Sequence, residues 1–140
     1  MIYGTGIDLI EINRIRKLLE RNESGFLKRV FTENEQALIP ENHKRRAEYI
    51  AGRYAAKEAF SKALGTGIGK NLRWQDIEIL ALLCGKPYIN FLGNVRDESR
   101  QDKLWVYHLS ISHTEDFALA QVIIEEGNPN GGKPNVTCHC

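Results

Sequence analysis

The sequence predicts an α+β fold, a small single domain with a long central helix packed on a largely antiparallel sheet. Three observations carry this. An alternating segment opens the chain, helical periodicity dominates residues 9–65, and strand-like runs joined by turn residues fill the part after residue 76. Neighbouring strands with short connections pair antiparallel.

Ile2 to Asp8 alternates as a strand, with Ile2, Gly4, Gly6 and Asp8 on one face and Tyr3, Thr5 and Ile7 on the other. Asp8-Leu9-Ile10-Glu11 has capping-box spacing, which predicts a helix from Leu9 to about Arg21. Ile12, Ile15 and Leu19 would be its apolar positions and Arg14, Lys17 and Arg21 its wet side. Thr32-Glu33-Asn34-Glu35 is a second capping box, opening a short helix that stops before Pro40. The central helix should start at Asn42 or His43 and end at Gly65, a residue suited to a left-handed cap. Strands are expected over Asp76–Leu83, Pro87–Phe91, Leu104–Ser112 and Phe117–Glu125, with Gly85-Lys86-Pro87 as a turn and a short helix from Asn94 to Asp102. Phe117 to Glu125 is apolar on both faces, the pattern of a central strand or a subunit contact.

The chain has 140 residues, 42% hydrophobic and 26% charged, enough for one core. A net charge of +1 leaves no bulk field to draw nucleic acid or an anionic membrane, so any basic surface must be local. No apolar run approaches the ~20 residues of a membrane helix, and the N-terminus lacks a secretory pattern. A cytoplasmic protein is the expectation. Three cysteines make no disulfide framework: Cys84 stands alone, and Cys138 and Cys140 flank His139. From Gly127 a breaker cluster replaces the apolar pattern. The folded domain is therefore expected over residues 1–126 and a disordered tail over 127–140.

The chemistry concentrates on Arg53 to Gly67. Glu58 and Lys62 are four apart and share a helix face with Ser61, while Ala56, Ala59, Phe60 and Ala63 form a small-residue stripe that permits close packing. Asp8 and Glu58 are a candidate Mg²⁺ pair, because this ion is usually held by one or two carboxylates together with substrate phosphates. On spacing alone, Asp8 equally fits a helix cap and Glu58 a simple partner for Lys62. Lys62 could neutralise charge on a phosphate. Gly65-Thr66-Gly67 is not a phosphate-binding P-loop, since the glycines follow a helix rather than open one. It suits a cap, or a loop along which an elongated ligand lies close to backbone. Lys44, Arg45, Arg46 and Arg53 form either a solvated face or a second anion site. His113 ends a strand in a polar corner, where a turn-fixing and a phosphate-contacting role are both open. Cys138-His139-Cys140 offers too few, too crowded ligands for zinc.

Three blocks in order, Gly6-Ile7-Asp8, Arg53 to Lys62 and Ser110-Ile111-Ser112-His113, closely resemble the short class of 4′-phosphopantetheinyl transferases, the holo-[acyl-carrier-protein] synthases. The likeness spans roughly Met1 to Glu126 and includes Gly65-Thr66-Gly67 and Asp76-Ile77-Glu78. It implies transfer of the phosphopantetheine arm of coenzyme A to a serine of an apo acyl carrier protein, as in fatty acid biosynthesis, with release of adenosine 3′,5′-bisphosphate. It implies Asp8 and Glu58 as Mg²⁺ ligands, Glu58 also as a candidate acceptor of the serine proton, and Lys62 and His113 at the diphosphate. Lys44, Arg45 and Arg53 would meet the 3′-phosphate end, and Gly65, Thr66 and Gly67 would border the pantetheine arm. Arg14 and Arg21 would dock the acidic carrier protein. The resemblance further implies a homotrimer with sites at subunit contacts. Tyr54 stands where the family more often shows Phe or Trp, and the tail lies beyond the family's usual end. Two other readings compete: a Mg²⁺-dependent phosphodiesterase using water as nucleophile, and a non-catalytic anion-binding module.

Overall fold

The computed structural model describes residues 1–93 and 104–127. The helix expected over 94–102 and the tail beyond 127 lie outside them. The elements are β1 (Ile2–Glu11), α1 (Ile12–Val30), α2 (Glu33–Gln36), α3 (His43–Leu64), a 3-10 turn (Trp74–Asp76), β2 (Ile77–Ala81), β3 (Pro87–Phe91), β4 (Trp105–His113) and β5 (Phe117–Glu126). The expected α+β class and antiparallel pairing hold, with the strands divided between a three-stranded sheet ordered β1-β5-β4 and the separate β2-β3 hairpin.

β5 is the central strand. Its Ala118, Ala120, Val122 and Ile124 are fully buried, while Phe117 and Leu119 face outward and are exposed. The small inward residues let α3 lie low across the sheet. The glycines of β1 go further: a Cβ on Gly6 would stand 1.8 Å from the carbonyl oxygen of Ala59, and one on Gly4 2.0 Å from that of Ala63. Only glycine lets strand and helix backbones meet so closely. A register shift between Ile2 and Gly4 breaks the simple alternation, and Tyr3 rather than Ile2 packs on the core, edge-on to Trp105. The ends of the fold are clipped together, with the Glu126 amide donating to the Met1 carbonyl at 2.9 Å.

Two boundaries differ from expectation. The first strand continues to Glu11, because pairing with β5 runs through Glu11 opposite Phe117. Asp8 is therefore a strand residue and caps no helix. The first helix passes beyond Arg21 to Val30, broken at Asn22 (φ −164°, ψ 80°), whose side-chain oxygen accepts the Gly25 amide at 3.0 Å. The second capping box forms in full, with the Thr32 hydroxyl accepting from the Glu35 amide and the Glu35 carboxylate from the Thr32 amide. On α3, Asn42 caps the start and Gly65 (φ 77°) the end, as expected. Cys84, expected to stand alone, is disulfide-bonded.

Beneath α3 sits an ion pair that the sequence does not reveal. The Lys57 ammonium, 0% exposed, donates to Glu35 Oε1 (2.6 Å), the Val30 carbonyl (2.6 Å) and the Trp74 carbonyl (3.0 Å). Glu35 also accepts the Ile79 amide at 3.1 Å. Burial raises the Glu35 carboxyl and lowers the Lys57 ammonium, each partly offset by the other's charge. Nearby Glu78 accepts from Thr32, Asn34 and Asn90. Burial alone would raise its carboxyl, but these hydrogen bonds and the Lys57 charge bring it below its usual range.

Candidate functional site

The inward face of β1 reads Gly4, Gly6, Asp8, Ile10. The two glycines draw α3 onto the strand, and the next inward residue, Asp8, meets the exposed rim of the helix. Lys62 donates from Nζ to Asp8 Oδ1 and to the Ile7 carbonyl, both at 3.0 Å. Glu58 lies one helical turn from Lys62 on the same rim. Its carboxyl is raised above the usual 4.5 by partial burial first and then by the Asp8 carboxylate, while Lys62 and Arg14 act in the opposite sense. The structure thus brings together Asp8, Glu58 and Lys62, which are up to 54 residues apart in the chain. Ser61 does not join them. It is buried, and its hydroxyl donates back to the Glu58 carbonyl at 2.7 Å.

Two carboxylates close enough for one to raise the other leave a like-charge cost that a bound cation would relieve. No cluster of three or more His, Cys, Asp or Glu suited to a metal occurs among the described residues. The chain therefore offers two oxygen-donor side chains and leaves other positions to water or phosphate, a donor set that fits Mg²⁺.

One wall of the site is aromatic, and sequence reasoning missed it. Tyr54, one turn before Glu58, packs between Phe26 (6.1 Å between ring centres) and Trp74 (4.7 Å). Its hydroxyl is raised by burial first, then by Glu58 and Asp8, with Arg14 and Arg29 opposing. The spacing Tyr54–Glu58–Lys62 was the available signal. Arg14 thus reaches the carboxylates electrostatically, and it also lines one groove with Lys17, Leu18 and Arg21 on α1. Those residues recur at i, i+3, i+4 and i+7, a basic stripe with an apolar centre.

The remaining expected residues are dispersed. Gly65 and Gly67 (φ 77° and 68°) and Thr66 turn the chain away, with the amides of Thr66 and Gly67 both donating to the Ser61 carbonyl at 3.3 Å. Arg53 lies over the Tyr49 ring at 3.9 Å, and its buried Nε has no hydrogen-bond partner among the described residues. Arg46 is taken up by Glu23 at 2.6 Å. Lys44 and Arg45 stand on the first turn of α3, roughly 20 Å from Glu58 along the helix at 1.5 Å per residue. His113 is exposed and pairs with Ala118, which in turn faces Ile10. One strand therefore separates it from β1, and Lys44 and Arg45 lie far along the helix from Glu58.

Comparisons with known proteins identify the family. Residues 4–122 match the model of the 4′-phosphopantetheinyl transferase superfamily. The chain is 49% identical over 140 residues to the holo-[acyl-carrier-protein] synthase of Geobacillus kaustophilus, covering 99% of both, so that alignment reaches into the segment after Gly127. It is 49% identical over 126 residues to that of Oceanobacillus iheyensis, covering 89% of this chain and 98% of the relative. Among solved structures, it resembles the Bacillus anthracis holo-(acyl-carrier-protein) synthase in complex with CoA (3′,5′-ADP), with TM-score 0.75 and 43% identity over 91% of this chain and 99% of that one. It also resembles the Helicobacter pylori enzyme in complex with coenzyme A, with TM-score 0.72 and 35% identity over 86% and 99%. Fold and sequence likeness converge, and the chain belongs to the holo-[acyl-carrier-protein] synthases of the 4′-phosphopantetheinyl transferase superfamily.

Proposed function

We propose that this chain transfers the 4′-phosphopantetheine group of coenzyme A to a serine of an apo acyl carrier protein. The convergence of Asp8, Glu58 and Lys62 on one rim carries this reading, together with membership of the family. In the reaction, the serine oxygen bonds to the phosphorus that bears the pantetheine arm. The bond from that phosphorus to the bridging oxygen breaks, adenosine 3′,5′-bisphosphate leaves, and the serine proton passes to a base.

Asp8 and Glu58 would hold Mg²⁺, which when bound supplies charge neutralisation at the diphosphate. Lys62, with a side chain 52% exposed, is free to leave Asp8 and meet the developing charge on the leaving oxygen. Glu58 is a candidate acceptor of the serine proton, directly or through a metal-bound water. Gly65, Thr66 and Gly67 would border the pantetheine arm. Arg53, with its unsatisfied Nε, would take a phosphate oxygen.

His113, Lys44 and Arg45 would serve a site completed by a second subunit. The outer sheet face, where Ile7 is 57% and Leu9 63% exposed beside Phe117 and Leu119, supports a homotrimer, since such a contiguous apolar patch seeks cover. The stripe of Arg14, Lys17, Leu18 and Arg21 would receive an acidic helix of the carrier. No described helix is long and apolar enough to cross a membrane, and we place the enzyme in cytoplasmic fatty acid biosynthesis.

The test is mass spectrometry of an apo carrier protein mixed with this chain, coenzyme A and Mg²⁺. A gain of one phosphopantetheine group, lost on adding a chelator, is the expected result. Hydrolysis of coenzyme A without a carrier would point instead to a diesterase.

A further inference from the structure

Consecutive residues of an α-helix point about 100° apart. Lys57, Glu58 and Ala59 therefore face three directions, with Glu58 midway between its neighbours. The backbone at Ala59 is pressed on Gly6 of β1. Lys57 is tied on the opposite flank to the end of α1, to α2 and to the 3-10 turn through Val30, Glu35 and Trp74. Glu58 is suspended between two anchors, one made of backbone contact and one of charge.

From this we infer that Lys57 is a positioning residue for the transfer reaction: its buried ammonium fixes the rotation of α3 about its own axis and so the distance of Glu58 from Asp8. The inference rests on the proposed roles of those two acids and adds a residue to them. Lys57 touches neither substrate nor ion. Rotation matters because a glutamate carboxylate stands far from the helix axis, so a turn of 10–20° moves it by about 1–2 Å, enough to cost roughly a hundredfold in rate. The same knot sets the aromatic wall. Trp74 accepts from Lys57 through its carbonyl and packs its ring on Tyr54, one turn before Glu58. Lys57, Trp74 and Tyr54 thereby form a closed loop around the turn that presents the acid.

Three variants test this on the full chain: Glu35→Gln, Lys57→Met, and the double Lys57→Met/Glu35→Gln, which leaves no uncompensated charge buried. Each is assayed for kcat, for KM of coenzyme A, for Mg²⁺ affinity by calorimetry without substrate, and for its folded fraction by circular dichroism. The expected result is kcat per folded molecule reduced roughly tenfold or more, KM of coenzyme A changed much less, and Mg²⁺ affinity weakened severalfold. Any well-folded variant with wild-type kcat and Mg²⁺ affinity overturns the inference. So does loss of folding in all three, which would make the knot purely structural. If the wild type itself transfers nothing to a carrier, the functional reading fails instead, and the Mg²⁺ affinities still decide whether Lys57 positions the acids.

Discussion

Helix α3 carries two lysine–carboxylate pairs five residues apart, and they are opposites. Lys57 is sealed from water and shared among Glu35 and two main-chain carbonyls. Lys62 is half in solvent and meets Asp8 and the Ile7 carbonyl at its outer edge. The first pair is saturated: nothing can be exchanged without leaving a buried charge unpaired. The second can be opened at little cost, because water can take the place of either partner. The same chemistry gives architecture where it is enclosed and an exchangeable contact where it is open.

This contrast can be broken from the buried end first. Glu35→Gln should cost about 3–5 kcal/mol of stability, the range for losing one partner of a buried pair, read by chemical denaturation. Next, Asp8→Ala and Glu58→Ala should each lower kcat by at least about a hundredfold, some 3 kcal/mol, with an unchanged circular dichroism spectrum. Near-normal turnover in either would remove it from the proposed metal pair. Gly6→Ala should force α3 off β1 and cost about 1–3 kcal/mol by overpacking. Activity in that variant should fall more than stability alone accounts for, since the open pair spans the contact being pried apart. Arg21→Ala should raise KM for the carrier about tenfold, or 1.4 kcal/mol, and flatten its salt dependence without altering KM for coenzyme A. Equal losses for both substrates would contradict separate docking.

The smallest effect is a pH dependence. Glu58 has a folded-state pKa raised above 4.5 by burial and by Asp8. A raised acid favours the folded state only while protonated, so its ionised form opposes folding above that pKa. Glu58→Gln should therefore melt slightly higher than the wild type near neutrality, and the gap should close as the pH falls through the raised pKa and be gone below 4.5. A gap that widens in acid would reverse the sign.

The contrast also separates what the sequence disclosed from what it hid. The helix spanning Lys57 and Lys62, its Asn42 and Gly65 caps, the Thr32–Glu35 capping box and the β2-β3 hairpin were legible, because each rests on local periodicity or a turn residue. Lys62 was expected to pair with Glu58 one turn away or with a phosphate, and its contact with Asp8, like the purpose of Gly4 and Gly6, emerged only with the helix lying on the strand. Lys57 was illegible. A lysine in a charged helix reads as solvated, and its acceptors come from a main-chain carbonyl 27 residues earlier, a glutamate 22 residues earlier and a turn 17 residues later. The start of α1 was misread for a related reason. Asp8 to Glu11 satisfies the local rule for a helix, and strand pairing with residues more than a hundred positions away overrides it.

The clasp between Met1 and Glu126 bears on how the gene can be rearranged. Because the two backbone ends emerge side by side, a short linker could join them in a chain cut after Gly127, with new ends opened in a surface loop. Such a circular permutant should keep the edge strand and its aspartate in place, and its melting curve, set against that of the linear chain cut after Gly127, would report what joining the ends contributes.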